Sequence, residues 1–369
     1  MNISEFDYEL PVERIAQWPL KDRDASRMLV MSRATGSLED RMFREFEGLL
    51  RGDELIVMNN ARVIPARLWG RRKGLNAQPV GKNSPIRGEN LTSPIEVLLL
   101  RAVGADEWEA LVRPGRKIAV NETIVFGGGE LEAKVIGRDT YGQRRLKFSG
   151  RGDLLNSIER LGHIPLPPYI RRDDEPSDRE RYQTVFARQG TAVAAPTAGL
   201  HFTPAILSGL EERGVEVREI TLDVGLGTFE PIRTDELEAH RIHHESYEVP
   251  DATADAVERA RKEQRPILAV GTTVVRALED AAEKFAPSRS SGVQGGPLAP
   301  GRFEAEIFLF PGKPFRVVTQ LLTNFHLPRS SLLALVAAFA GRENVLRAYR
   351  HAVEANYRFY SYGDCMWIR

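Results

Sequence analysis

Several short stretches of this 369-residue chain carry side chains able to do chemistry. Pro196-Thr197-Ala198-Gly199-Leu200-His201 brings a threonine, a glycine and an imidazole to the head of a helix. Thr203 is a good N-cap there, and Pro204 suits the first helical position. Free backbone N–H groups at such a start favour an anion or a polar ligand. Asn59-Asn60-Ala61-Arg62, followed by Arg67, sets two amides and two guanidinium groups at the end of an apolar strand. That combination suits a purine edge or a carboxylate. Gly225 and Gly227, just before Thr228, permit close backbone approach to a ligand. Gly271-Thr272-Thr273 with Arg276 reads as a glycine turn into a threonine-capped helix, able to hold a carboxylate or hydroxyl. Asn324-Phe325-His326 is another strand-to-helix loop. His240, His243 and Glu245 cluster without the helical His-Glu-x-x-His spacing, so acid–base work is expected there and no metal. Imidazole and carboxylate suit proton transfer near neutral pH.

The elements that must position these loops alternate between strand and helix. Strands are expected over 26–31, 55–58, 190–195, 215–221, 266–270 and 357–364, and helices over 12–16, 153–161, 205–211, 254–264, 274–279 and 332–340. Between Trp69 and Gly150 short alternating segments separated by glycine turns predict a small antiparallel β-barrel. The expected architecture is α/β: a discontinuous α/β main domain, 1–66 and 152–369, with the barrel inserted at 67–151. Ligand loops then gather at one end of the sheet, as in open α/β folds, facing the barrel. Residues 71–94 lack aromatics and carry Arg71, Arg72 and Lys73, so they read as a flexible loop whose cations suit RNA phosphates. The run 171–181, with four basic and five acidic residues, reads as a solvated loop.

Composition excludes other classes. Lys plus Arg and Asp plus Glu both number 51, so a nucleic acid must be met by a local basic patch and not by a global field. The single cysteine, Cys365, forms no intrachain disulfide, and a reducing compartment is expected. The longest clear apolar run, Leu332–Ala340, is nine residues, too short to span a bilayer. The amino terminus lacks a signal-peptide profile. A soluble cytoplasmic protein with no membrane contact is expected. No Walker loop or Gly-x-Gly-x-x-Gly fingerprint is present, so neither a nucleoside triphosphate nor NAD is indicated.

Taken in order, Phe6-Asp7-Tyr8-Glu9-Leu10-Pro11, Arg23-Asp24-Ala25-Ser26-Arg27, Val63-Ile64-Pro65-Ala66-Arg67 after Asn59-Asn60, Pro196 to Phe202, Val224-Gly225 with Gly227-Thr228-Phe229, Gly271-Thr272-Thr273 with Arg276, Asn324 to Pro328 and Phe359 to Asp364 make a specific set. Together they resemble the S-adenosylmethionine:tRNA ribosyltransferase-isomerases of queuosine biosynthesis over nearly the whole chain. Two departures stand out: Asp223 replaces a usual histidine, and the 71–94 segment is longer than is common.

The resemblance implies transfer of the ribosyl unit of S-adenosylmethionine onto the aminomethyl nitrogen of 7-aminomethyl-7-deazaguanine (preQ1) in the anticodon stem-loop of a tRNA. Isomerisation gives epoxyqueuosine, and adenine and methionine are released. It implies no cofactor, since S-adenosylmethionine is consumed as a substrate, and a monomer. His201, His240, His243, Glu245 and His326 are then the acid–base candidates. Asn59, Asn60, Arg62, Arg67, Thr197, Gly199, Gly225, Gly227, Thr228, Gly271, Thr272, Thr273, Arg276, Asn324 and Phe325 are candidates to hold the substrates. Arg14, Arg23, Arg27, Arg71, Arg72 and Lys73 are candidates for tRNA phosphates. A methyltransferase that uses S-adenosylmethionine and a non-catalytic tRNA-binding module are the alternatives. Released adenine, S-adenosylhomocysteine or neither would separate the three.

Overall fold

The computed structural model describes residues 1–73, 94–115, 118–139, 142–225, 235–239, 245–284 and 298–369. At its centre lies Leu55–Asn59, five consecutive buried residues. Such an apolar run fits a strand covered on both faces. It pairs in parallel with Glu216–Leu222 on one side and Ile267–Val270 on the other, and Gln320–Asn324 adds a fourth parallel strand. Cys365–Ile368, Arg27–Met31 and Leu38–Met42 extend one edge, while Glu245–Val249 and Gly301–Ala305 extend the other. The result is a nine-stranded mixed sheet.

Alternation along these strands feeds two cores. Leu55 and Val57 face the helices Asp251–Lys262, Thr272–Lys284 and Ser331–Ala340. Ile56 and Met58 face Phe43, Phe46, Phe202 and helix Pro204–Glu212. Six antiparallel strands between Arg67 and Gly150 close a barrel, as expected. Its core includes Val97, Trp108, Phe126 and Leu146. No helix of the described residues is long and apolar enough to cross a membrane.

Several expected elements differ. Only a 3-10 turn, Val12–Arg14, forms in place of the helix over 12–16, because Ile15 bridges Phe359 and the Ala16 N–H donates to the Phe359 carbonyl at 3.2 Å. The segment 190–195 pairs only at Gln189–Ala192, with Ala61–Val63. The last strand is Cys365–Ile368 and not 357–364. Before it, the Asp364 carboxylate accepts from the Arg27 and Arg358 backbone N–H groups at 2.9 and 2.8 Å, which folds the preceding residues into a turn.

The run 171–181 is not simply solvated. Asp178 is fully buried, takes two hydrogen bonds from the Arg172 guanidinium at 2.6 and 2.8 Å, and accepts from the Tyr362 hydroxyl at 2.7 Å. A charge removed from water needs such partners, and they hold Asp178 below the usual carboxylate range against the opposing effect of burial. Charge counting along the chain cannot reveal a group of three whose third member is 184 residues away from Asp178.

Candidate active site

The carboxyl ends of the parallel strands converge on one cleft of about 650 Å3, part of it open to solvent. Its walls are the 195–198 turn, Val224, Gly271–Thr273, Thr323–Leu327 and the Tyr360–Ser361 turn. Two helix starts reach it. Ser331–Ala340 is capped by Ser330, whose hydroxyl accepts from the Leu333 N–H at 3.2 Å. The other helix begins at Thr272, so Thr272 and Thr273 lie within its first turn instead of capping it, and Gly271 turns the chain at φ 97°. Both starts aim backbone N–H groups and positive dipole ends toward the cleft, which suits a carboxylate.

His326 is the acid–base candidate that lines this cleft. Its backbone is clamped: its N–H donates to the Tyr349 hydroxyl at 3.1 Å, and its carbonyl accepts from the Tyr8 hydroxyl at 2.5 Å. Nε2 lies 2.8 Å from Thr323 Oγ1. Dense surroundings lower its pKa to about 3, although part of its surface stays open to solvent, which moderates that effect. The ring is therefore neutral at pH 7.

His201 sits elsewhere. It faces an adjoining pocket with Arg23, Ser26 and Arg181, and meets the cleft residue Asn324. Its Nδ1 is 2.7 Å from Ser26 Oγ. Burial lowers its pKa to about 4; Asn324, as a partner of the ring, opposes this, and the cations Arg23 and Arg358 reinforce it. Neither His201 Nε2 nor Asn324 Oδ1 has a well-formed hydrogen bond, so their contact is close but poorly aligned. Asn324 Nδ2 donates to the Tyr360 carbonyl at 2.9 Å.

The remaining candidates separate. Thr197, Gly271, Thr272, Thr273, Asn324 and Phe325 line the cleft. Gly199 packs behind it, where a Cβ would meet Phe186 at 2.7 Å. Arg276 and Glu245 form a buried ion pair, and the other Glu245 oxygen accepts from the Gly225 N–H at 3.2 Å. Asn59 stitches strands together: Nδ2 donates to the Leu222 carbonyl, and Oδ1 accepts from the Leu222 N–H, both at 3.0 Å. Asn60 donates to Glu219 at 2.9 Å in a different groove. Arg62 pairs with Glu159 at 2.6 Å and Arg67 with Glu96 at 3.1 Å, away from the cleft walls. His240, His243, Gly227 and Thr228 lie outside the described residues, as does most of 71–94.

Among the phosphate candidates, Arg14 bonds Asn356. Arg27 stacks 3.8 Å over the Tyr357 ring and pairs with Asp40 at 3.1 Å. Arg71 is exposed on the barrel, whereas Arg72 pairs with Glu122 and Lys73 with Glu132. Asp223, the residue that departs from the resemblance, accepts from the Thr191 N–H at 2.9 Å and so anchors the 189–192 strand.

Tyr169, Ser330, Tyr360 and Ser361 also line the cleft and were not singled out individually by sequence. Tyr360 stacks on Tyr169 with ring centroids 4.4 Å apart, and its backbone sits at φ 70°. That conformation is uncommon for a bulky residue. The Tyr169 hydroxyl lies 2.7 Å from Ser361 Oγ, while the buried Tyr360 hydroxyl has no hydrogen-bond partner among the described residues. The signal available was the Tyr360-Ser361-Tyr362-Gly363-Asp364 run, which reads equally well as core.

A mixed α/β sheet with an inserted closed barrel, and a cleft at the carboxyl ends of its parallel strands where hydroxyl, amide and imidazole groups are set among a larger apolar lining, define a protein with a candidate ligand site at the sheet's end. The family described as "Queuosine biosynthesis protein" matches residues 3–368. S-adenosylmethionine:tRNA ribosyltransferase-isomerases from Solibacter usitatus and Moorella thermoacetica are 53% and 47% identical to this chain, each covering 100% of both sequences. A crystal structure of a Thermotoga maritima S-adenosylmethionine tRNA ribosyltransferase is 35% identical, with TM-score 0.52, over 99% of this chain and 100% of that one. The chain belongs to the queuosine biosynthesis protein family and is a ribosyltransferase-isomerase.

Proposed function

We propose that this enzyme transfers and isomerises the ribosyl unit of S-adenosylmethionine onto the aminomethyl nitrogen of preQ1 in a tRNA anticodon loop, releasing adenine and methionine. The observation that carries the mechanistic reading is His326, an imidazole on the cleft wall whose backbone is held by Tyr349 and Tyr8. The Thr323 hydroxyl has the Asn324 carbonyl as an acceptor at 3.3 Å, so we assign Nε2–H of His326 as the donor to Thr323. Nδ1 then keeps its lone pair. The sulfonium of S-adenosylmethionine acidifies the C5′ protons, and Nδ1 accepts one of them. The first turns starting at Thr272 and Ser331 hold the methionine carboxylate. Asn324, positioned through Tyr360 and His201, orients the nucleoside. The Arg276–Glu245 pair supports the Gly225 backbone from below.

The enzyme acts in the cytoplasm as a monomer, which light scattering tests. Incubation with S-adenosylmethionine and an anticodon stem-loop bearing preQ1 should release one adenine per modified RNA. S-adenosylhomocysteine would instead mark a methyltransferase, and no product would mark a binding module.

A further inference from the structure

Beside the cleft, and sharing Ser361 with it, lies a second pocket, open to solvent, of about 300 Å3 with the space at its mouth included. Arg23, Arg181, Ser26 and His201 line it, with Asp22 exposed at its edge. The two arginines form a reciprocal clamp. Arg23 donates to the Glu180 and Leu200 carbonyls at 2.8 and 3.2 Å, and Arg181 donates to the Leu20 and Lys21 carbonyls at 2.8 and 2.5 Å. Among the described residues neither is ion-paired to a carboxylate, whereas Arg172 nearby is paired to Asp178. Burial and the charge of Arg181 both pull the Arg23 guanidinium below its ordinary pKa. Arg358 adds a third cation felt at His201, and its Nη1 is buried without a hydrogen-bond partner, as is Nε of Arg181.

Holding like charges together in a partly desolvated place is unfavourable unless something negative joins them. Asp22 at the edge and Glu180, whose carboxylate opposes the lowering at Arg23, are both exposed, so solvent screens them and they compensate little. The pocket opens to solvent, so an anion can reach its mouth, and His201, 4% exposed and neutral, adds a polar wall without a competing charge.

We propose that this pocket binds one RNA backbone phosphodiester through Arg23 and Arg181, the phosphate flanking the nucleotide whose base enters the cleft. The proposal rests on the tRNA reading above. Ser361 belongs to both walls, so a phosphate in the pocket places its own nucleoside at the cleft mouth. Arg23 came from the sequence as a phosphate candidate; Arg181 and the site itself come from the fold.

The test is a cycle of single neutral methylphosphonate replacements along the preQ1 stem-loop, with binding measured for wild type, Arg181→Gln and Arg181→Lys. At one position beside preQ1, replacement should weaken wild-type binding about tenfold, as losing a charge-assisted bond does. The same replacement should change Arg181→Gln less than twofold and Arg181→Lys nearly as much as wild type. The salt slope of Arg181→Gln should fall by about one phosphate, with KM for S-adenosylmethionine unchanged. Arg23→Gln should repeat the pattern, and serves alone if the Arg181 variant does not fold. Equal weakening of both proteins at every position would overturn the site. So would a rise in KM for S-adenosylmethionine instead of for RNA, which would assign the pocket to the methionine carboxylate. Adenine release by the wild type is scored separately, so that a failed pocket is distinguishable from a failed reading of the reaction.

Discussion

The barrel and the cleft treat polar groups in opposite ways. On the barrel, charged side chains find one another across strands: Arg72 with Glu122, Lys73 with Glu132, Arg101 with Glu109 and Arg145 with Glu107. Even its buried Arg144 is satisfied, donating to the Gly115 and Gly142 carbonyls at 2.6 Å. Around the cleft, by contrast, the Tyr360 hydroxyl, Asn324 Oδ1 and His201 Nε2 are buried without a well-formed hydrogen bond. A buried polar atom left unpaired costs on the order of 1–3 kcal/mol. Tyr360 lines the cleft, so a ligand bound there can complete the bonding of its hydroxyl.

The contrast sets the order of expected effects. His326→Ala removes the proposed base and should lower kcat for adenine release at least about a hundredfold, with thermal unfolding nearly unchanged. A loss below tenfold would end its assignment as base. His201→Asn acts through Asn324, and should cost on the order of tenfold in kcat. Tyr360→Phe deletes one hydroxyl and keeps the stack on Tyr169. KM for S-adenosylmethionine should rise about five- to tenfold, the worth of one hydrogen bond, with the far-ultraviolet spectrum unchanged. At the quiet end, Lys73→Ala or Arg145→Ala on the barrel should shift stability by no more than about 1 kcal/mol, because exposed ion pairs contribute little. A larger loss would show that the barrel is not self-contained.

His201 also predicts a pH dependence. Its folded pKa, about 4, lies below the ordinary value of 6.5, so between these pH values the unfolded chain binds more protons than the folded one. The contribution of His201 is therefore fully present above pH 6.5 and is lost as pH falls toward 4. Urea unfolding in that window should show His201→Asn with a pH slope shallower than wild type by up to about 1.4 kcal/mol per pH unit. An unchanged slope would mean that the ring already charges in the fold.

Much of this was legible in the order of residues. Alternation between Ile95 and Gly150 is local, and it closed into the barrel it predicted. Thr203 with Pro204 announced a helix start that formed. The loop 324–326 and the Gly271-Thr272-Thr273 turn pointed to ligand contacts, and both line the cleft. Asn59 and Asn60 looked equally suited to a ligand, yet their amides are spent on neighbouring strands. His201 and His326 sit in loops of the same kind, and only one of them reaches the cleft.

What the sequence determined by itself was the set of elements and the kinds of group at their ends, since backbone preference, capping and apolar period act over a few residues. The tertiary structure alone decided which groups share a cavity and which are consumed by pairing. Asp178 meeting Tyr362, Tyr169 stacking on Tyr360 and Arg181 closing on Arg23 join segments roughly 160 to 190 residues apart. Burial and partners at that range fix a group's charge and reach, and neither is written in its neighbours along the chain.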